Sequence, residues 1–471
     1  MRTIPDSIKT ALEQSYGFVL LIKGHAGTGK TTLALELLRN VKNPLYISTR
    51  VKVPYLYKQF PWIEESLPKE SIVDATTFES IPSLSWTDER TFLESLKLKD
   101  LPDFLKILFM KMNVDNPGTV VIDSWDAIAA LGETRWGKNE GLLVNYILDL
   151  VKERNYNLIF ILEKVEESYL DYLADGIIHL DKSIYDNDKT LRKLYPLKLR
   201  GVPIPQPSYL FTLNHGRFNS FIPTNQSELK PPSHIKIVPD KNARISSGFP
   251  DIDSLFNGGF VKGNVILHET QPYLGFANSW ILLSIALQFL AKDRGVIGVP
   301  PPGRPYVTER QFMRNLVGAD KFDQGFRVIV LDEEAPDLPS HVTVIQSTSP
   351  LDFFTKIIEV ANSLFNNSRK IPYFFVISIN YLTFKYDLSE IMRVTPQIVT
   401  LLKQSGHIFY ITADSGIRYI ETLKNEVDAH FVISQIDGKV VLYGKSPKTS
   451  LFAVNFSSPE NGFGLSLEPI V

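Results

Sequence analysis

Short apolar runs rich in Val, Ile, Leu and Phe recur along the chain and alternate with stretches of helical spacing. Phe18-Val19-Leu20-Leu21-Ile22 is the first of them and reads as a buried strand, preceded by a short helix within residues 1–16. Thr31 to Arg39 carries strong helix formers and an apolar face. Pro44–Ser48 and Ile72–Asp74 read as the next strands, separated by the Pro- and Tyr-rich segment Arg50–Trp62. Residues 86–112 have helical spacing, and Thr119–Ser124 is a strand that ends in the acid Asp123. An amphipathic helix over 139–153 leads to the strand Leu158–Glu163, and Leu173–Leu180 reads as a turn into another strand. Leu191–Arg200 and Tyr209–Leu213 suggest a closing hairpin. Strands alternating with helices predict an α/β fold: a mostly parallel sheet flanked by helices, with an antiparallel extension.

Residues 221–240 hold four prolines among polar residues, which predicts a linker. It separates a domain over 1–220 from a second over 241–471. The second half repeats the pattern of the first. Its strands are expected at Asn264–His268, Gly295–Val299, Pro372–Ser378, His407–Thr412 and Val427–Ile433.

Composition narrows the class. With 471 residues and 44% hydrophobic positions, there is ample material for two cores. The formal charge is −2, from 50 basic and 52 acidic residues, so no general coat for nucleic acid is expected. The absence of cysteine excludes disulfides, zinc–thiolate sites and thiol catalysis. The longest apolar stretch, Trp280–Ala291, is too short to span a bilayer and reads as a buried helix. The first residues lack the apolar core of a signal peptide, and a cytoplasmic location is the expectation.

The chemistry concentrates in one segment. Gly24-His25-Ala26-Gly27-Thr28-Gly29-Lys30-Thr31 fits G-x-x-x-x-G-K-[ST], the phosphate-binding loop. It lies between a strand and a helix, where loop amides and the helix N-terminus both attract an anion. Gly24, His25, Ala26, Gly27, Thr28, Gly29, Lys30, Thr31 and Thr32 therefore form the expected cradle for ATP. Lys30 reaches the β- and γ-phosphates, and the Thr31 hydroxyl faces Mg²⁺. Asp123, at the carboxyl end of its strand, is the second expected Mg²⁺ residue, in the manner of a Walker B acid.

The segment from Ser247 to Leu267, with Gly248, Asp253, Gly258, Gly259 and Gly263 at characteristic spacing, resembles the entry segment of KaiC-type ATPase domains of the RecA superfamily. Val121-Ile122-Asp123-Ser124, the stretch Tyr172–Leu180 and Leu197-Lys198-Leu199-Arg200-Gly201 resemble the same family in the first half. The opening of the chain, with Leu20–Gly24 and Ile47–Val51, is also similar to the archaeal gas-vesicle regulators of GvpD type, which belong to this group. The resemblance implies two tandem RecA-like P-loop domains and homo-oligomeric assembly, often a hexameric ring with nucleotide at subunit interfaces. It further implies that Lys198 and Arg200 form a K-x-R pair reaching a neighbour's γ-phosphate. On a strand, both would face one side. The bland alternative is an edge strand guarded by charge.

Two departures from that pattern stand out. Ser48-Thr49-Arg50-Val51 occupies the place where the family carries an acid that serves as general base. Asp126, Glu79 or Glu163 could substitute, with Glu163 as a water-orienting residue. In the second half, Glu269–Ser279 has no lysine where the phosphate loop would stand, and Ser378 replaces the strand-end acid. A degenerate second domain, kept for structure or partner binding, is expected. The resulting expectation is a regulatory or signalling ATPase of slow turnover, whose nucleotide state governs assembly or the binding of a regulatory partner. A DNA-handling motor and a non-hydrolysing ATP-binding scaffold are the alternatives.

Overall fold

The computed structural model describes residues 4–14, 17–76, 108, 111–112, 116–129, 140–228, 232–271, 273–301, 310–331, 338–366, 368–457 and 463–471. Glu79 and most of the helical stretch expected over 86–112 lie outside the described residues. The chain divides into two compact units, Met1–Ile222 with Ile470–Val471, and Pro223–Pro469.

In the first unit the strands are β1 (Val19–Lys23), β2 (Pro44–Ser48), β3 (Ile72–Asp74), β4 (Thr119–Asp123), β5 (Asn157–Leu162), β6 (Gly176–Tyr185), β7 (Lys189–Leu199), β8 (Tyr209–Thr212) and β9 (Asn219–Phe221). They form one sheet in the order β3-β2-β4-β5-β1-β6-β7-β8-β9. The pairs from β3 through β6 are parallel, and those from β6 to β9 antiparallel. All five residues of β1 are buried, as a central parallel strand covered on both faces requires. Leu20 and Ile22 pack on one side with Leu33, Leu37 and Tyr46. Val19 and Leu21 pack on the other with Val144, Ile147 and Phe160. The long antiparallel ribbon joins β6 to β7, and β7 meets β8 only through Lys193 and Leu194. The hairpin expected from Leu191–Arg200 and Tyr209–Leu213 is present as this short antiparallel pairing, and β7 makes its longer ladder with β6. The pattern of turns had hidden the tight reversal at Asp186-Asn187, both left-handed at φ 46° and 69°.

The second unit contains β10 (Val265–Thr270), β11 (Arg294–Val299), β12 (Phe326–Leu331), β13 (Val342–Ile345), β14 (Lys370–Ser378), β15 (Ile408–Asp414), β16 (Ala429–Ile436), β17 (Lys439–Ser446), β18 (Phe452–Ser457) and β19 (Gly464–Pro469). Their order is β13-β12-β11-β14-β15-β10-β16-β17-β18-β19. From β12 to β16 this repeats the order of β3 to β6, with the same parallel sense. The expected duplication is thus a duplication of topology: two RecA-like α/β sheets. One face of the second sheet packs Phe375, Phe409 and Ile411 against the helices Pro350–Phe365 and Leu388–Gln404. The other packs Ile266, Phe374 and Tyr410 against the helix Gly275–Ala291. That last helix contains the apolar stretch read from sequence as buried. Among the described residues no helix is long and apolar enough to cross a membrane.

His407 shows how the second core constrains charge. Its ring stacks on Tyr373 with centroids 4.5 Å apart, and its Nδ1 accepts the Tyr373 N–H at 3.2 Å. Burial holds its pKa down to about 4. The folded unit keeps this ring neutral, whereas the unfolded chain takes up a proton near the ordinary value of 6.5. Stability is therefore intact above about pH 6.5 and falls as the pH drops toward 4, by up to about 1.4 kcal/mol per pH unit. Hydrogen exchange of the β14 and β15 amides, compared at pH 7 and pH 5, should show a steeper loss of protection in the natural chain than in His407→Gln. Equal slopes would remove His407 from this role.

Candidate nucleotide-binding site

The phosphate loop starts where β1 stops. Gly24 turns the chain directly beneath β6: a Cβ there would lie 2.4 Å from the Leu180 carbonyl oxygen and 2.8 Å from Thr28 Oγ1. No larger residue fits that approach. Gly29, left-handed at φ 102°, then starts the helix Lys30–Leu38. The helix is fixed from behind by Glu36, which receives two hydrogen bonds from Arg217 at 2.8 and 2.7 Å. The Arg217 guanidinium also covers the Trp62 ring at 4.0 Å. Such a planar fork on a buried carboxylate sets an orientation as well as a charge balance.

Lys30 bends back over the loop. Its Nζ donates to the carbonyl oxygens of Gly24 at 2.6 Å and His25 at 2.9 Å. Burial lowers its pKa, against the attraction of Glu163, Asp123 and Asp126. Thr31 and Asp123 meet: the Thr31 hydroxyl donates to Asp123 Oδ2 at 2.6 Å. The Tyr46 hydroxyl, from β2, donates to the same oxygen at 2.6 Å. Burial nevertheless pushes the Asp123 carboxyl above the usual carboxylate range. A buried ammonium and a buried carboxylate held near one another, each penalised for its charge, form a site that an anion and a cation together would relieve.

Thr49 closes the strand ends, with its hydroxyl 2.9 Å from the Asp123 carbonyl and accepting the Ser124 N–H at 2.8 Å. Arg50, which stands where an acid was expected, forms an ion pair with Glu163 just beyond β5. The Glu163 N–H in turn donates to Asp126 Oδ2 at 2.7 Å. Glu163 and Asp126 thus sit beside Lys30 and Asp123.

Lys198 and Arg200 stand elsewhere. Leu199 pairs with Gly176, and Gly176 with Leu20, so this end of β7 is level with the start of β1. The loop follows Lys23, three residues further along β1, roughly 10 Å away along the strand. Arg200 lies one residue past the end of β7, and its N–H still donates to the Asp175 carbonyl at 2.8 Å. Lys198 donates to the Asp171 carbonyl at 3.2 Å. Arg200 bonds Asp175 at 2.7 Å, with 66% of its side chain exposed.

Two contributors escaped the sequence. Arg192, on β7, donates through Nη1 to the carbonyls of Gly27 at 3.0 Å and Thr28 at 3.3 Å. Its partners are main-chain atoms, so no motif could announce it. Tyr46 reads in sequence as an ordinary core aromatic, and only its register beside β4 reveals the hydroxyl's target.

A strand, a glycine loop, a helix and a strand-end carboxylate, set on this sheet order, define a P-loop protein of RecA type. Residues 8–198 match the family model described as "GvpD gas vesicle protein, P-loop domain". Over 96% of its length the chain is 25% identical to Protein GvpD2 of Halobacterium salinarum, covering 93% of that protein. It is 28% identical to Protein GvpD1 of the same organism over 60% of the chain and 54% of that protein. It is 25% identical to the circadian clock oscillator protein KaiC 1 of Synechocystis over 53% of the chain, and so spans about half, 48%, of that relative. The chain is thus similar to the GvpD and KaiC proteins, and the match to the family model falls on the unit that carries the phosphate loop.

The Arg192 anchor is testable. Arg192→Met keeps the bulk of the side chain but removes its donors to the loop. It should weaken MgATP binding on the order of 10-fold, the worth of a charge-assisted bond, without unfolding the unit. Calorimetric titration of the natural chain and the variant measures the difference, and unchanged affinity would assign Arg192 to packing alone.

Proposed function

We propose that the first unit binds one MgATP per chain and hydrolyses it slowly, and that the nucleotide state controls assembly or the binding of a regulatory partner. The observation that supports this reading is the meeting of Lys30, Thr31 and Asp123 at the carboxyl ends of β1 and β4. The residues present suit the ligand. Among the described residues no group of three His, Asp or Glu side chains converges, so a cation would rest on Thr31, Asp123 and phosphate oxygens, as Mg²⁺ commonly does. Mg²⁺ bound there would neutralise charge on the β- and γ-phosphates. The chain's own part is positional: loop amides from Gly24 to Thr32 orient the phosphates, and Lys30 exchanges its loop carbonyls for phosphate oxygens. The second unit has Ser378 at the strand end that corresponds to Asp123, and no lysine in its loop. One site per chain follows from that difference.

The Arg50–Glu163 pair supports slow turnover. A carboxylate occupied by a guanidinium is a weak proton acceptor, and general-base assistance is worth about 10²–10⁴-fold. The same pair favours a second reading, in which ATP is bound without turnover and the chain acts as a nucleotide-dependent scaffold. In the first reading Lys198 and Arg200 act on the site of a neighbouring subunit, which fits their distance from their own loop. Such cations contribute about 10³–10⁵ in rate.

Calorimetry should find one MgATP site per chain, lost in Lys30→Ala; two sites, or a surviving one, would contradict the stoichiometry. In phosphate-release assays Glu163→Gln should lose activity, while Arg50→Ala should retain or raise it by releasing the carboxylate. If neither variant changes the rate, Glu163 has no part in the chemistry. Mixing inactive Lys30→Ala with inactive Arg200→Ala should restore part of the activity once subunit exchange is established. No recovery would leave Arg200 as a structural partner of Asp175.

A further inference from the structure

The second unit holds a cavity of about 410 Å³ at the position where the first unit holds its nucleotide machinery. It lies between the helix Gly275–Ala291 and the sheet, and opens at the carboxyl ends of β10, β14 and β15. Its inner walls are apolar, with Leu282 and Ala286 from the helix facing Val296, Val328 and Val376 from the strands. Its other end is polar and includes Thr270, Asn278, Ser378 and Asp414.

One position explains why the space exists. In the first unit Tyr46 pairs with Val121, two residues before Asp123, and its ring fills the gap between sheet and helix. In the second unit the residue that pairs with Val376, two before Ser378, is Gly298. On its other side Gly298 pairs with Val328. A Cβ built on Gly298 meets nothing closer than a carbonyl oxygen at 4.0 Å, and its backbone is that of an ordinary strand. The strand does not need this glycine for its conformation; the missing side chain is what leaves the cavity open. Interiors normally pack out such voids, and an unfilled apolar one destabilises the fold.

The polar end is equally specific. Thr270 Oγ1 and Asn278 Oδ1 are buried without a hydrogen-bond partner among the described residues. Asp414 adds a carboxylate, steadied by Asn380 Nδ2 at 2.5 Å. Among the described residues no lysine or arginine lines the cavity. The Asn278 amide oxygen lacks a donor and Asp414 adds a negative charge, which together disfavour phosphates and carboxylates and favour N–H groups; the Thr270 hydroxyl, able to donate or accept, can join either.

We propose that the second unit is a binding site for a small amphiphilic amine, its apolar body against Gly298 and its ammonium among Thr270, Asn278 and Asp414. The degenerate P-loop unit thereby exchanges a nucleotide for a ligand of opposite charge at the same place in the fold. This site is separate from the one proposed in the first unit and stands or falls independently of it.

The test uses the full chain with N-phenyl-1-naphthylamine, a neutral apolar fluorophore with one N–H donor. One dye per chain should bind with enhanced emission. n-Octylamine should displace it at concentrations on the order of 10-fold lower than n-octanoate, with n-octanamide between them, and MgATP should not displace it. Gly298→Leu, which fills the cavity, should weaken dye binding at least 10-fold while the first unit's MgATP titration is unchanged. Ala286→Leu fills it from the opposite wall and serves if the first variant fails to fold. Asp414→Asn should erase the preference of octylamine over octanamide. Dye binding that survives both filling variants, octanoate competing as well as octylamine, or displacement by MgATP would each overturn the proposal.

Discussion

A carboxylate at the end of a central strand is hard to keep in a protein interior, and Asp123 is the point on which the first unit turns. Its charge is disfavoured by burial, so the surrounding fold supplies donors: a hydroxyl from the helix after β1 and another from β2. Those two bonds tie the start of the loop helix and the middle of β2 to the carboxyl end of β4. They fix the register of β2 on β4, the start of the loop helix and the depth of the loop. Lys30 balances the same region from the other side, and Arg192 holds the loop's carbonyls from β7.

The second unit is what the same sheet becomes when that requirement is lifted. Ser378 stands at the strand end, and neither the lysine nor the tyrosine has a counterpart. The core adapts through apolar packing on both faces, with Phe375 on Phe409 at 4.4 Å and Phe289 on Phe374 at 4.9 Å. Charge is excluded here: burial holds His268 at about 3 and His407 at about 4. Glu269 survives as an anion, held down to about 2 by His430 and Lys445, which outweigh its burial. The two units therefore share topology and differ in which charges their strand ends accept.

The functional consequence is an asymmetry within a duplicated architecture. One unit presents a cation-lined cradle suited to a triphosphate. The other presents an apolar cavity rimmed by oxygens. At the first unit's strand ends Arg50 is paired with Glu163, so a guanidinium rather than an acid stands after β2.

Much of this was legible in the sequence because it depends on local order. The phosphate loop, the apolar strand before it and the acid at Asp123 are contiguous patterns, and contiguous patterns dictate backbone shape and strand ends directly. The duplication was legible too, since apolar runs recur in the same order. What the sequence left open depends on atoms brought together from distant positions. Arg192 meets main-chain carbonyls more than 160 residues away, and β6 rather than β8 claims most of β7. Arg50 reads as a missing acid until the sheet sets Glu163 beside it. Gly298 reads as a neutral strand residue until its register opposite Val376 shows that it stands where Tyr46 stands in the first unit. Register and strand order are set by the packing of the whole sheet. A linear pattern of apolar positions fixes which residues turn inward, and only the assembled sheet decides what each of them meets.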